Sequence, residues 1–323
     1  MARNVLVTGA AGFIGSRLCS ALVDRGDAVW GVGRHLEGPL PDVRCRRGDL
    51  ADREFALEVI AESRPDTIYH FAGVPSGVRE REMVWPTLAG NLLTTVNVLL
   101  AAEEFACRRV VVAGSLEESA GNDPEPPTSP YAASKMAALT YSRMFSELYG
   151  TSVINLRIGM VYGPGQRDTS KLVPYVICSC LDGKRPALTN GRREVDWVYV
   201  DDVVGAAMHA GDLDGSSSHT VGIGTGIATS IRVVAETVAE LCGGRVEPEF
   251  GARPDRPKDR RRVADPIPAR DLLGWTAETS LREGLGRTVE WYRRVLKETL
   301  QAGATFNMTK LRDNVHDSVR DND

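Results

Sequence analysis

The chain has little that would tie it to a membrane, a metal or a nucleic acid. Its 323 residues contain no uninterrupted apolar run of the roughly 18 or more that a spanning helix needs. Its first residues enter a strand-like pattern and lack the basic, apolar and small-residue layout of a secretory leader. The six cysteines are scattered; the one close pair, Cys178 and Cys180, has no second pair or nearby histidine to complete a metal set. They read as reduced thiols, and no metal is expected. Net charge is −4, and the arginine runs at 44–47 and 260–262 are short, so neither a nucleic acid nor an anionic membrane is expected as partner. A cytoplasmic globular protein is expected from these absences and from a composition of 42% hydrophobic and 25% charged residues.

What is present is alternation. Apolar runs at Asn4–Thr8, Ala28–Val32, Val43–Arg46, Thr67–Phe71, Arg109–Ala113 and Ser152–Ile158 read as strands. Helical periodicity follows the glycines at residue 15 and recurs at Arg53–Glu62, Thr87–Phe105 and from Pro130 to Tyr149. Such alternation with short links predicts an α/β fold with a doubly wound parallel sheet. Past residue 160 the pattern weakens, with a strand at Trp197–Val200 and helices at Ser230–Leu241 and Leu281–Leu300. Residues 1–160 are therefore expected to form the first, parallel-sheet domain. Residues 161–301 should form a smaller mixed α/β substrate domain, with part of 195–225 returning to the first. Residues 302–323 are polar and read as a disordered tail.

Thr8-Gly9-Ala10-Ala11-Gly12-Phe13-Ile14-Gly15 joins the first strand to the first helix. In that context glycines allow a tight turn and close approach of backbone to a pyrophosphate, which the helix N–H groups receive. An Asp or Glu at the end of the second strand would hold the ribose hydroxyls of NAD. Here that strand ends Val32-Gly33-Arg34. A guanidinium pairs with a 2′-phosphate, so NADP(H) is favoured over NAD(H). Asp49, after the third strand, is a candidate for the adenine edge, or equally for a helix-capping turn.

Tyr131 and Lys135 are four residues apart on a helix and share a face. A phenol has an ordinary pKa of about 10, which a neighbouring cation lowers. The pair therefore reads as a proton donor and acceptor beside a hydride carrier.

Together these motifs resemble the extended short-chain dehydrogenase/reductase family, in the branch acting on nucleotide-diphosphate sugars. The resemblance runs from about residue 3 to 295 through Thr8–Gly15, Gly48-Asp49-Leu50, His70-Phe71-Ala72-Gly73, Asn91, Tyr131–Lys135, Arg157–Pro164, Val198–Asp202 and Leu273-Gly274-Trp275. It implies a Rossmann fold and a homodimer formed through two helices of each subunit, for which Met136, Leu139, Tyr141 and Met144 are candidates. It implies cofactor contacts at Gly9, Gly12, Phe13, Ile14, Gly15, Asp49, Leu50, Phe71, Ala72, Gly73, Asn91 and Lys135. Tyr131 is then the general acid/base, and Lys135 binds the nicotinamide ribose. The hydroxyl that relatives place beside the tyrosine aligns with Leu116, which cannot hydrogen-bond, so Ser115 or Ser119 takes its place; Ser115 is favoured. Glu117 and Glu118 match adjacent acids that serve as acid and base in relatives that dehydrate the sugar.

On the substrate side the resemblance implies diphosphate contacts from Arg167, Arg192, Arg193 and Arg256. Met160 replaces an asparagine that touches substrate in relatives, and Val195 replaces an arginine. The expected activity is a reductase that delivers hydride from NADPH to a 4-keto(-6-deoxy)hexose. The alternative is a 4-epimerase or 4,6-dehydratase with tightly bound NAD, and a third reading is a non-catalytic dinucleotide-binding protein.

Overall fold

The computed structural model describes residues 2–36, 40–118, 126–215, 217–256 and 258–301. Ser119 and the expected 302–323 tail lie outside the described residues. β1 (Asn4–Thr8) passes through the glycine turn into α1 (Phe13–Asp24), followed by β2 (Ala28–Gly33), β3 (Val43–Arg47), α2 (Arg53–Ser63) and β4 (Thr67–His70). A helical run, Arg81–Glu104, comes next. It contains a 3-10 turn, α3 (Val84–Thr87), a π-helical stretch (Leu88–Leu93) and α4 (Thr94–Glu104). β5 (Arg109–Ser115), α5 (Pro130–Tyr149) and β6 (Val153–Ile158) complete the first half. Then come β7 (Met160–Tyr162), α6 (Leu172–Leu181), β8 (Ala187–Leu188), β9 (Glu194–Tyr199), α7 (Val200–Asp212) and β10 (His219–Ile223). The last elements are β11 (Ala228–Ser230), α8 (Ile231–Leu241), β12 (Glu249–Phe250), α9 (Ile267–Leu273) and α10 (Leu281–Gln301).

One compact unit comprises Met1–Gly159, Asp201–Gly226 and Val263–Ala277. It holds a seven-stranded sheet in the order β10-β6-β5-β4-β1-β2-β3, parallel throughout. Parallel strands covered on both faces read as continuous apolar runs, and Val5, Leu6, Val7, Val110 and Val111 are all fully buried. The order reverses beside β1, where β4 joins its other edge, and ligands of such sheets bind at the strands' carboxyl ends near that switch. Asp201–Gly226, within the stretch expected to return to the first domain, supplies β10 as the seventh strand, and Val263–Ala277, expected in the second domain, also belongs to this unit. Within it, Trp275 Nε1 donates to Asp202 O at 3.0 Å and His209 Nδ1 donates to Leu273 O at 2.8 Å.

The run Arg81–Glu104 is long and apolar enough, by length and composition alone, to cross a membrane. Its polar side chains assign it to the protein core instead. Asn91, Thr94, Thr95 and Asn97 are buried, and Asn97 Nδ2 donates to Leu50 O and Ala51 O at 2.9 and 3.0 Å.

α5 starts where its sequence directs it. Ser129 Oγ accepts from Ala132 N at 3.1 Å, Pro130 occupies the first turn, and Gly150 ends the helix at φ 70°. Leu139 is buried and Met144 packs on the first unit's core, so these two belong inside and not to an exposed dimer face; Tyr141 is exposed.

The other unit comprises Met160–Val200, Ile227–Arg262 and Glu278–Asp323. Sheets β11-β9-β7 and β12-β8 and helices α6, α8 and α10 surround a core that includes Ile177, Trp197, Val234, Val238 and Leu285.

Candidate active site

The glycine turn closes against the end of β4. Gly9 has φ 68°, and a Cβ there would lie 2.8 Å from Ala72 N and Phe71 O; a Cβ on Gly15 would run into Gly9 O. Side chains are thus excluded where backbone must approach backbone. Gly12 is the N-cap of α1, no side chain caps the helix, and its first turn has no acid. This cradle, with Phe13, Ile14 and Gly15 in the opening turn, fits the pyrophosphate of a dinucleotide.

Beyond β2, Arg34 is exposed, and its carbonyl accepts from Arg47 Nε at 2.9 Å. Asp49 is also exposed; its carboxylate accepts from Ala51 N at 2.9 Å in a local turn. Leu50 beside it is buried. Asp52, not Asp49, caps α2.

A buried chain of hydrogen bonds ties the ends of β1 and β4 to the long helix. Ala72 N donates to Thr8 Oγ1 at 3.1 Å, and Thr8 Oγ1 lies 2.9 Å from His70 Nδ1. His70 Nε2 lies 3.1 Å from Thr95 Oγ1, which donates to Asn91 O at 2.6 Å. Thr95 uses its hydrogen on Asn91, so it accepts from His70 Nε2–H. In the neutral imidazole Nδ1 then accepts from Thr8. Burial, with Lys135 adding to it, holds the His70 pKa down at about 3.

Asn91 connects this chain to the helix bearing Tyr131. It accepts from Val74 N at 2.7 Å and donates to Ser134 Oγ at 2.9 Å, and Ser134 Oγ donates to Tyr131 O at 2.8 Å. Asn91 lies in the π-helical stretch, a feature frequent at functional sites. A Cβ on Gly73 would lie 2.7 Å from Asn91 Oδ1 and 3.8 Å from Lys135 Nζ. Phe71, Ala72, Gly73, Asn91 and Lys135 are thus brought together.

At the end of β5, Ser115 lies beside the Tyr131 phenol and acts to lower its pKa. Its Oγ also accepts from Glu117 N at 3.1 Å. Leu116 is buried, its N donating to Ile158 O at 3.1 Å. The hydroxyl beside Tyr131 is therefore that of Ser115.

The expected lowering of the Tyr131 pKa by Lys135 is not found. Burial pushes the phenol up to about 12; the Ser115 side chain opposes this, and Glu118 and Glu117 add to it. Lys135 Nζ instead donates to Ala113 O at 2.5 Å. Burial lowers the lysine's pKa and Glu118 opposes that.

The two adjacent acids have separate environments. Glu118 is 1% exposed. Its Oε1 accepts from Ser115 N at 2.7 Å, and Oε2 lies 3.8 Å from Arg157 Nε. Burial raises its pKa to about 7 against the pull of Lys135, the Ser115 N–H, Arg157 and Arg143. Glu117 is only half-buried.

The residues expected on the substrate side all lie in the second unit. Met160 pairs with Trp197 in β7 and is 37% exposed. Arg167, Arg192 and Arg256 are exposed, while Arg193 pairs with Asp259 at 3.6 Å. Lys171, at the N-cap of α6, was missed by sequence reasoning. Burial lowers its pKa, Asp168 opposes this, and the nearby Arg256 adds to it. Lys171 Nζ lies 3.8 Å from Asp168 Oδ2. The signal for Lys171 was a lysine opening an unusually apolar segment, Leu172–Leu181.

Residues 5–224 match the family model described as NAD-dependent epimerase/dehydratase. The chain is 33% identical over 312 residues to UDP-glucose 4-epimerase of Mycolicibacterium smegmatis, covering 90% of this chain and 98% of that one. It is 31% identical over 331 residues to dTDP-glucose 4,6-dehydratase of the same organism, covering 93% and 98%. The solved structure of MoeE5 in complex with UDP-glucuronic acid and NAD superposes with a TM-score of 0.81 at 34% identity, covering 90% and 99%. The chain belongs to the NAD-dependent epimerase/dehydratase family.

Proposed function

We propose that the protein is a nucleotide-sugar 4-epimerase that works with NAD on a UDP-linked hexose. One observation carries this reading: Ser115 lies beside the Tyr131 phenol and acts on its pKa, on the sheet whose β1–α1 turn forms the glycine cradle. The turn 9–15 and the Phe71–Gly73 loop would hold the dinucleotide. NAD supplies, when bound, reversible hydride acceptance at the sugar carbon. Tyr131 takes the proton of the C4 hydroxyl and later returns it to the same oxygen, while Ser115 bonds that oxygen.

The relatives support the alternative of an epimerase or dehydratase better than the ketoreductase first expected. NADP(H) loses its support as well, since MoeE5 holds NAD. Arg34 does not decide the matter: an exposed guanidinium beyond β2 can also donate to ribose hydroxyls.

The second reading is a 4,6-dehydratase, favoured by the adjacent Glu117 and Glu118 and by the M. smegmatis dehydratase relative. Against it, Glu118 is tied to the Ser115 amide and lies beside Arg157. We also propose a homodimer through α3 and α5, where Val84, Trp85, Tyr141, Leu148 and Tyr149 are exposed.

Incubation of protein and NAD with UDP-glucose and UDP-glucuronic acid in D2O separates the readings. An epimerase inverts C4 without solvent deuterium in the product. A dehydratase gives a 4-keto-6-deoxy sugar carrying deuterium at C5. Tyr131→Phe should reduce turnover by about 100-fold or more with NAD affinity retained; near-full turnover would remove Tyr131 from the mechanism.

A further inference from the structure

Cysteines 178 and 180 are neighbours in sequence but not in space. Both lie on α6, where residues two apart point about 200° away from each other. The structure brings Cys180 to a different partner. Cys180 lies in the last turn of α6, and Cys242 is the residue that ends α8. The two helices pack on each other, and both cysteines border the second unit's core. A cavity lined by Cys180, Leu181, Ala239, Cys242, Arg245 and Arg293 gives access to the pair. Both are free thiols, and they line this same cavity.

The surroundings distinguish the two sulfurs. Cys242 acts to lower the Cys180 pKa, and Cys180 acts to raise that of Cys242. Arg293 approaches from α10, donating to Leu241 O at 2.8 Å, and its charge acts against the rise at Cys242.

We propose that Cys180 and Cys242 form a reversible disulfide when the protein meets a peroxide. The Cys180 sulfur attacks a peroxide oxygen: the S–O bond forms, the O–O bond breaks, and the leaving oxygen departs as water after taking a proton. Cys242 then attacks the Cys180 sulfur: the S–S bond forms, the S–O bond breaks, and a second water leaves. The two thiols lose two electrons and two protons, and hydrogen peroxide becomes two waters. The bond joins the ends of α6 and α8. It involves none of Tyr131, Lys135 or Ser115 and is independent of the sugar chemistry.

The experiment exposes the whole reduced protein to hydrogen peroxide, alkylates the remaining thiols and maps peptides by mass. Two of the six thiols should disappear into one cross-linked peptide pair containing residues 180 and 242. A dithiol reductant should restore both. Cys45→Ser, which removes an exposed thiol, should give the same cross-link; Cys180→Ser or Cys242→Ser should give none. The proposal is overturned if both thiols stay alkylatable while Cys45 or Cys107 oxidises, if the cross-link runs through Cys178, or if Cys180 stops at an irreversible acid with Cys242 still free.

Discussion

Acidification below about pH 6.5 should loosen the first unit through one side chain, His70. Its imidazole is buried and neutral, with a pKa held from its ordinary 6.5 down to about 3. The folded value is depressed, so the group's contribution is fully present above the unfolded value and is lost as pH falls towards the folded one. A gap of this size corresponds to about 5 kcal/mol in total, with about 2 kcal/mol lost by pH 5 and about 3 by pH 4. The structure gives the reason. A protonated ring donates at both nitrogens, so Thr8 Oγ1 would have to accept from His70 and Ala72 N together and its own hydrogen would lose Nδ1. The assay is native-state hydrogen exchange of β1 and β4 amides, which reports the first unit alone, for wild type and His70→Gln between pH 7 and 4. Glutamine keeps a donor and an acceptor but does not titrate. The wild-type advantage should shrink by the stated amounts, and NAD affinity should fall in parallel because Ala72 and Asn91 are held by the same chain. A difference that stays flat over that range would refute the buried neutral imidazole.

Other substitutions probe neighbouring parts. Ser115→Ala should cost about 10- to 100-fold in kcat with little change in NAD binding, and adding Leu116→Ser should not rescue it, because residue 116 is buried away from the phenol. Glu118 has a raised pKa, near 7 against an ordinary 4.5, so the stability it contributes is present below about 4.5 and lost as pH rises through about 7, to about 3 kcal/mol. Chemical denaturation of Glu118→Gln should lack that loss. Its pH–rate limb for Tyr131 should also move to lower pH, since a negative neighbour of the phenol is gone. Gly9→Ala should abolish NAD binding in calorimetry and destabilise by about 1–3 kcal/mol, given φ 68° and the Ala72 and Phe71 backbone only 2.8 Å away.

Much of the first unit was legible because its strands are buried on both faces and its helices carry their own signals. Asn4–Thr8 and Pro130–Tyr149 have in the structure the bounds read from the pattern. The elements past residue 160 were less legible. α6 is apolar nearly all round, which hides the helical period, and β10 becomes a strand only by pairing with β6. Within the site, Tyr131 and Lys135 share a helix and so announce themselves. Which of Ser115 and Leu116 faces the phenol depends on how β5 ends, and that is a matter of three-dimensional pairing. The partner of Cys180 lies 62 residues away, at Cys242, beyond any local pattern. Reductase and epimerase need the same tyrosine, lysine and glycine turn, so these residues cannot separate them. Arg34 was given weight that its exposed position does not support.

The most direct test of the central claim is nuclear magnetic resonance of UDP-hexose incubated with the purified protein and NAD in D2O. The account predicts inversion at C4, no deuterium on the ring carbons and no net formation of NADH. Net stoichiometric NADH, or a 4-keto-6-deoxy product labelled at C5, would contradict it.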